Sequence, residues 1–233
     1  MSGTAAAAEE QKMAAAIAAS ELIDSDSVIG LGTGSTVRYL IEELGRRLAD
    51  GRLERVHGVA TSVASERLAA AVGIPLVELP EQGVALAIDG MDEVDSRLQA
   101  IKGLGGALAR EKIVAASAAS FVLVGDAGKR VERLAERTPV PVEVLSFGWR
   151  RTAHLLEELG LEPRFRRAGE TLFTSDNGNP ILDCRVRLPA DLDRLAESIS
   201  LLPGVVEHGL FLDHAEVAFV AGSDGVEELR RRA

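Results

Sequence analysis

Short apolar runs in this chain are each followed by a stretch at helical spacing, and that alternation limits the folds open to it. "VIGLG" (28–32) leads through a glycine turn into "STVRYLIEELGRRLAD" (35–50), where Val37, Leu40, Ile41, Leu44 and Leu48 share one helical face. "RVHGVAT" (55–61) and "PLVELP" (75–80) read as the second and third strands, with a helix over "SVASERLAAAVG" (62–73) between them. "VALAIDG" (84–90) reads as the fourth strand, "GALAREKIVAASAA" (106–119) as a helix and "FVLVGD" (121–126) as the fifth strand. An alanine-rich helix is expected over 8–20, ahead of them all. Strands that alternate with helices in this way build a parallel sheet covered on both faces, because each parallel pair needs a crossover.

The pattern changes near Pro139 and Pro141. Strand-like "VEVLSF", helical "WRRTAHLLEELG", strand-like "PRFRR", "TLFT" and "ILDCRVRL", helical "LDRLAESISLL" and strand-like "VVEHGLF" follow one another. Between two of these strands lies "DNGN", whose Asn177-Gly178 centre is a hairpin signal. The order β-α-β-β-α-β is that of a ferredoxin-like unit. The expected architecture is α/β: a Rossmann-like parallel sheet with helices on both faces over 1–140 and 210–233, and an inserted α+β ferredoxin-like lid over 141–209. The tail "EVAFVAGSDGVEELRRR" (216–232) is expected to return to the first domain as a strand and a helix.

Composition narrows the function classes. With 26 basic and 36 acidic residues among 233, the net charge is −10, against a nucleic-acid or anionic-membrane partner. A small anion is still compatible, since one turn of backbone N–H groups and a lysine or two make a local positive pocket. The single cysteine, Cys184, forms no intrachain disulfide and fits a reducing, cytoplasmic setting. The start lacks a basic region followed by a continuous apolar one, so no signal peptide is read, and no run of 18 apolar residues occurs. The four histidines are scattered without metal-ligand spacing, and Cys184 reads as core.

Three stretches carry chemistry. The first is the turn Gly32–Thr36. A dinucleotide fingerprint would place a third glycine where Ser35 stands and an acid at the end of the second strand, and neither is present. A Walker A lysine is also absent. A small, hydroxylated turn at a helix N-terminus suits a phosphomonoester, or serves only as a helix cap through Ser35 or Thr36. The second is "IDGMDEVD", with Asp89, Asp92, Glu93 and Asp95 within seven positions. A solvated loop, a divalent-ion site and acid–base work at a strand's carboxyl end are the readings open to it; the EF-hand spacing is missing. The third is "KGLGGALAREK". Lys102 supplies a cation before the glycines at 103, 105 and 106, and Glu111 follows early in a helix, where the dipole favours an ionised base. The plainer alternative for Glu111 and Lys112 is a solvated helix face.

In this order, "GLGTGSTV", "IDGMDEVD", "IKGLGGALAREKI" and "PVEVLSFG", continued by "GDAGKRV", "SDNGNPILD" and "LPGVVEHGLF", resemble the type A ribose-5-phosphate isomerases over nearly the whole chain after the first helix. The resemblance implies interconversion of D-ribose 5-phosphate and D-ribulose 5-phosphate in the pentose phosphate pathway, without cofactor or metal, by a homodimer or homotetramer. It puts the phosphate-and-sugar loop on Thr33, Gly34, Ser35 and Thr36, and the acidic turn on Asp89, Gly90, Met91 and Asp92. The lysine-glycine loop falls on Lys102, Gly103, Leu104 and Gly105, the catalytic base on Glu111 and a ligand-contacting lysine on Lys129. Lys12 is a further candidate for the phosphate. Asp89 and Asp92 are the candidates for proton movement between the sugar oxygens, and Lys102 for stabilising the enediolate. Three positions depart from the family pattern: Leu104 and Met91 replace a usual glycine and alanine, and Gly128 stands where a serine is common. The alternatives are a non-catalytic sugar-phosphate sensor of the same fold and an amino-sugar phosphate deaminase on a related one.

Overall fold

In the computed structural model, which describes residues 2–188 and 190–231, the elements run in chain order as follows. The first part comprises α1 (Ser2–Ser20), β1 (Val28–Leu31), α2 (Ser35–Ala49), β2 (His57–Ala60), α3 (Val63–Ala71) and β3 (Val84–Gly90). Then come β4 (Glu93–Val94), β5 (Ala100–Ile101), α4 (Leu108–Ala116), β6 (Ala118–Asp126) and a 3-10 turn, Ala127–Lys129. The rest are β7 (Val140–Val144), α5 (Trp149–Glu158), β8 (Glu162–Phe165), β9 (Arg167–Ala168), β10 (Thr171–Leu172), β11 (Ile181–Arg185), α6 (Leu192–Ser200), β12 (Val205–His208), β13 (Leu210–Phe211), β14 (Val217–Gly222) and β15 (Gly225–Arg230).

These elements form two compact units, each assembled from separated segments. The first takes 1–91, 110–130 and 213–233; the second takes 92–109 and 131–212. This division does not fall at 141 and 209: the acidic turn from Asp92 onward and the lysine-glycine loop belong to the second unit.

The first unit is a six-stranded sheet in the order β15-β14-β6-β3-β1-β2. Every neighbouring pair is parallel except β14 with β15. Its core is aliphatic: Ile29 and Leu31 from β1, Val37, Leu40, Ile41 and Leu44 from α2, Ile88 from β3, and Ala15, Ala16 and Ala19 from α1. The α2 residues are those of the expected stripe, apart from Leu48, which packs at its edge half-buried. The chain leaves β1 toward β2 on one side, whereas β3 pairs with β1 on the other. A crevice therefore opens at the carboxyl ends of β1 and β3, the switch point where open α/β sheets bind ligands.

The second unit holds a four-stranded antiparallel sheet in the order β12-β7-β11-β8, with α5 and α6 as the connecting helices. This is the ferredoxin-like topology expected from the strand and helix sequence. Val140, Val142, Val144, Leu156, Leu182, Cys184 and Ile199 fill its core. The Asn177-Gly178 turn forms, with Gly178 N–H donating to Ser175 O at 2.9 Å. Smaller sheets, β13-β5-β4 and β10-β9, complete the unit.

Two expectations are corrected. "PLVELP" forms no strand; Leu76 makes a single bridge to Gly58, because Pro75 and Pro80 lack the N–H that would extend the ladder. The tail does not end in a helix. Its described part folds back as β15, antiparallel to β14, around Ser223 and Asp224, with Gly225 at φ +111°; Arg232 lies outside the described residues. In addition, "VVEHGLF" breaks at Gly209 into β12 and β13, which serve different sheets. The Gly209 N–H is spent on Pro141 O, and its carbonyl accepts from Lys102 N–H.

Candidate active site

The residues selected from sequence divide between the two units, and each unit holds its share in a definite geometry. In the first, the glycine turn and the acidic strand end meet. Asp89 closes β3 with 2% exposure, and its Oδ1 accepts the N–H groups of Thr33 at 2.9 Å and Gly90 at 2.7 Å. Gly32 makes this approach possible, since a Cβ there would lie 2.1 Å from Asp89 Oδ1. The Thr33 hydroxyl faces inward to a cluster with Thr61, Ser62 and Ser65, and Ser65 Oγ donates to Gly32 O at 2.6 Å. Thr33 thus braces the turn through its side chain.

Helix α2 begins at Ser35, and its N-cap is Gly34, at φ +125° and ψ 178°. Neither Ser35 nor Thr36 is the cap, so the capping alternative does not describe this turn. Ser35 is exposed and Thr36 buried. The first amides of α2 and the positive end of its dipole lie at the turn, an arrangement that favours an anion.

Glu111 lies in the first turn of α4 and is 4% exposed, so the solvated-face reading does not hold. Its position follows from topology. Because β3 and β6 are parallel and α4 ends just before β6 starts, the N-terminus of α4 lies at the edge where β1 and β3 end. Val114, one turn further along α4, packs over Gly30 of β1, where a Cβ would lie 2.4 Å from Val114 Cγ1. The base candidate, the glycine turn and Asp89 therefore share one edge of one sheet.

Lys129 ends the 3-10 turn that follows β6 and is half-buried. Asp126 caps that turn, accepting Gly128 N–H at 3.0 Å; a Cβ at residue 128 would crowd the Asp126 carboxylate at 2.8 Å. Met91 is buried and occupies room left by Gly125, where a Cβ would lie 2.7 Å from Met91 Cε. Lys12 bonds Glu9 on its own helix at 2.7 Å, and Glu9 also accepts from Tyr39 Oη. The Lys12 and Tyr39 hydrogen bonds hold the Glu9 carboxyl below its ordinary range.

In the second unit, Lys102 is 2% exposed, with Nζ 5.4 Å from the centre of the Phe211 ring, and its N–H is tied to Gly209 O at 2.9 Å. Gly103 turns the chain at φ +107°, a conformation that suits glycine. The Leu104 N–H donates to Asp92 Oδ2 at 2.9 Å, which joins the acidic turn to the lysine-glycine loop. Leu104 does not have a positive φ and is 44% exposed, so this departure from glycine is accommodated without backbone strain.

The four clustered carboxylates have different roles. Glu93 is 2% exposed and accepts the N–H groups of Ala135, Arg137 and Thr138 at 2.6–2.8 Å, as a structural anchor. Asp95 accepts those of Arg97 and Gln99, both at 2.9 Å. Asp89 and Asp92 accept backbone N–H groups from the glycine turn and the lysine-glycine loop, the two stretches singled out with them in the sequence. Arg166, which the sequence does not single out, donates through its guanidinium to Gly103 O at 2.7 Å and Leu104 O at 3.0 Å.

Known proteins resemble this chain along most of its length. Residues 57–225 match the family model described as ribose 5-phosphate isomerase A (phosphoriboisomerase A). The ribose-5-phosphate isomerase A of Roseiflexus sp. (strain RS-1) is 53% identical over 209 residues, covering 89% of this chain and 90% of its own. The solved ribose 5-phosphate isomerase of Plasmodium falciparum superposes with a TM-score of 0.93 at 36% identity, covering 97% of this chain and 100% of that one. A D-ribose-5-phosphate isomerase solved with phospho-erythronic acid gives the same TM-score and identity over 96% of this chain and 99% of its own. Motif order, sheet topology and similarity along nearly the full length agree, and the chain belongs to the ribose 5-phosphate isomerase A family.

Proposed function

We propose that this enzyme interconverts D-ribose 5-phosphate and D-ribulose 5-phosphate by proton transfer through a cis-enediolate, without cofactor or metal, in the non-oxidative branch of the pentose phosphate pathway. Glu111 takes the proton from C2 of the open-chain aldose and returns it to C1. Asp89 and Asp92 open the ring and move the proton between O1 and O2. Lys102 stabilises the enediolate oxygen, a kind of contribution worth about 3–4 kcal/mol. Ser35, Thr36, Lys129 and Lys12 take the phosphate, and the backbone of Gly34, Gly90, Met91, Gly103, Leu104 and Gly105, with Thr33 as brace, shapes the sugar site. Binding the phosphate holds the reacting carbons in place, so remote binding energy assists the chemistry.

The observation that carries this reading is the sheet edge of the first unit. A buried carboxylate at a helix N-terminus lies at the same edge as a glycine turn that no side chain caps, itself tethered to a second buried carboxylate. The phospho-erythronic acid held by a relative supports a phosphorylated sugar chain as the ligand. We also assign residues 141–209 the role of a lid, the assembly to a homodimer or homotetramer, and the location to the cytoplasm. The lone cysteine is compatible with that location, and no helix among the described residues is long and apolar enough to cross a membrane.

The test is turnover of ribose 5-phosphate in EDTA, wild type beside Glu111→Gln. Wild-type turnover with a loss of about 10²–10⁴-fold in the variant is expected for a removed general base. A folded wild type that binds ribose 5-phosphate without converting it would replace this reading with the sensor.

A further inference from the structure

We propose that Arg166 and Asp183 are positioning residues that hold the lysine-glycine loop in its working conformation. The inference rests on the catalytic reading of Lys102 and Asp92 above. Arg166 follows β8 and its side chain is 10% exposed. Its Nε donates to Asp183 Oδ2 at 3.0 Å and its Nη2 to Oδ1, so a carboxylate on neighbouring β11 grips the guanidinium in a two-point fork. That fork fixes the plane of the group. The remaining nitrogen, Nη1, then meets the carbonyls of Gly103 and Leu104 together.

A trans peptide carries its N–H opposite its C=O, so holding a carbonyl also aims an amide. The Gly103 carbonyl and the Leu104 N–H belong to one peptide. Arg166 holds one end of it and Asp92 Oδ2 the other. Arg166 therefore reaches a proposed proton-transfer carboxylate through a single peptide plane. In the next peptide the Leu104 carbonyl is held, which turns the Gly105 N–H away from the guanidinium. Phe173 packs against Gly106, where a Cβ would lie 2.3 Å from its Cζ, and its ring centre is 5.6 Å from Arg166 Cζ. Upstream, Lys102 is anchored to Gly209. A stretch with glycine at 103, 105 and 106 has many conformations to lose, and these contacts select one. A lysine at 166 could not reproduce three nitrogens in a fixed fork.

Arg166→Met, Arg166→Lys and Asp183→Asn are compared with wild type by steady-state kinetics on ribose 5-phosphate and by amide exchange over 102–107. Arg166→Met is also combined with Lys102→Met. The expected result for Arg166→Met is a kcat loss of about a hundredfold, the scale of a small misplacement of catalytic groups. A smaller change in KM, faster exchange at Leu104, partial recovery on adding guanidinium, and little further loss in the Lys102→Met background should accompany it. A folded Arg166→Met with wild-type kcat, or a loss that adds fully to that of Lys102→Met, overturns the proposal. If Arg166→Met does not fold, Arg166→Lys and Asp183→Asn are read in the same way. A wild type that fails to turn over overturns the catalytic reading separately, and unchanged exchange at Leu104 overturns the clamp whatever the activity.

Discussion

Replacing Gly32 by alanine isolates the contact that joins the glycine turn to Asp89. Gly32 is not at positive φ, so the added methyl brings no backbone strain of its own. It does bring a collision. The new Cβ would lie 2.1 Å from Asp89 Oδ1 and 2.6 Å from Asp89 Cα. Non-bonded carbons settle about 3.5–4.0 Å apart, so the end of β3 must yield by about 1 Å. Overpacking of this kind costs about 1–3 kcal/mol, which lowers Tm by roughly 2–12 °C in a chain of this size. The Thr33 and Gly90 N–H bonds to Asp89 are disturbed as well, and a displacement near 1 Å costs about a hundredfold in kcat. Gly51→Ala, just past the far end of α2, is the control. At φ +76° a residue with a side chain takes a left-handed conformation at a cost of about 1–2 kcal/mol, and no atom lies within 4 Å of its Cβ position. The two variants should lose similar stability, while only Gly32→Ala should lose most of its kcat. Calorimetry and saturating-substrate kinetics read both. A Gly32→Ala protein with wild-type Tm and kcat would refute the steric argument.

Two further outcomes follow from buried groups in the second unit. Glu143 is fully buried and accepts from Ser175 Oγ at 2.9 Å, Asn177 Nδ2 at 3.1 Å and Asn179 Nδ2 at 2.9 Å; Glu143→Ala strands these donors and should cost about 3–5 kcal/mol in urea unfolding, with a cost under 1 kcal/mol contradicting the network. Burial, and then Asp183, pushes the Cys184 thiol up from its ordinary 9.0, so the folded protein should resist thiol reagents at pH 8, where rapid native labelling would count against its burial. The folded state keeps that proton longer than the unfolded one, so this contribution is intact below pH 9.0 and shrinks as pH rises beyond it, a slope that Cys184→Ala should remove.

Local signals made the parallel sheet and the β1-to-α2 turn readable, because periodicity and glycine placement act over a few residues. In the tail the local signals conflict: "GVEELRRR" is rich in helix formers, yet pairing with β14 overrides propensity, and Asp224-Gly225 is the hairpin signal that agrees with the fold. In the acidic turn, nothing within "IDGMDEVD" separates Glu93 from Asp92. Their partners decide, and those of Glu93 lie more than forty residues away, at 135–138. Arg166 was hidden in the same way, as one of several arginines in "RFRR" until strand pairing set it beside Asp183. The placement of Asp89 at a strand end and of Glu111 in the first turn of a helix was legible because sequence marks such positions directly.

The order of strands in the first sheet bears on how the chain is made. β6 takes β3 on one side and β14 on the other, yet some eighty residues of the second unit are synthesised between β6 and β14. A nascent chain released through residue 126 presents one flank of β6, with Val122, Leu123 and Val124, as an open apolar template. The strand that later shuts it carries its own guard, since β15 is exposed and sets Glu227, Glu228 and Arg230 along the rim. Truncation before Val217 should therefore turn this protein toward self-association during synthesis, through an edge that the finished fold never shows.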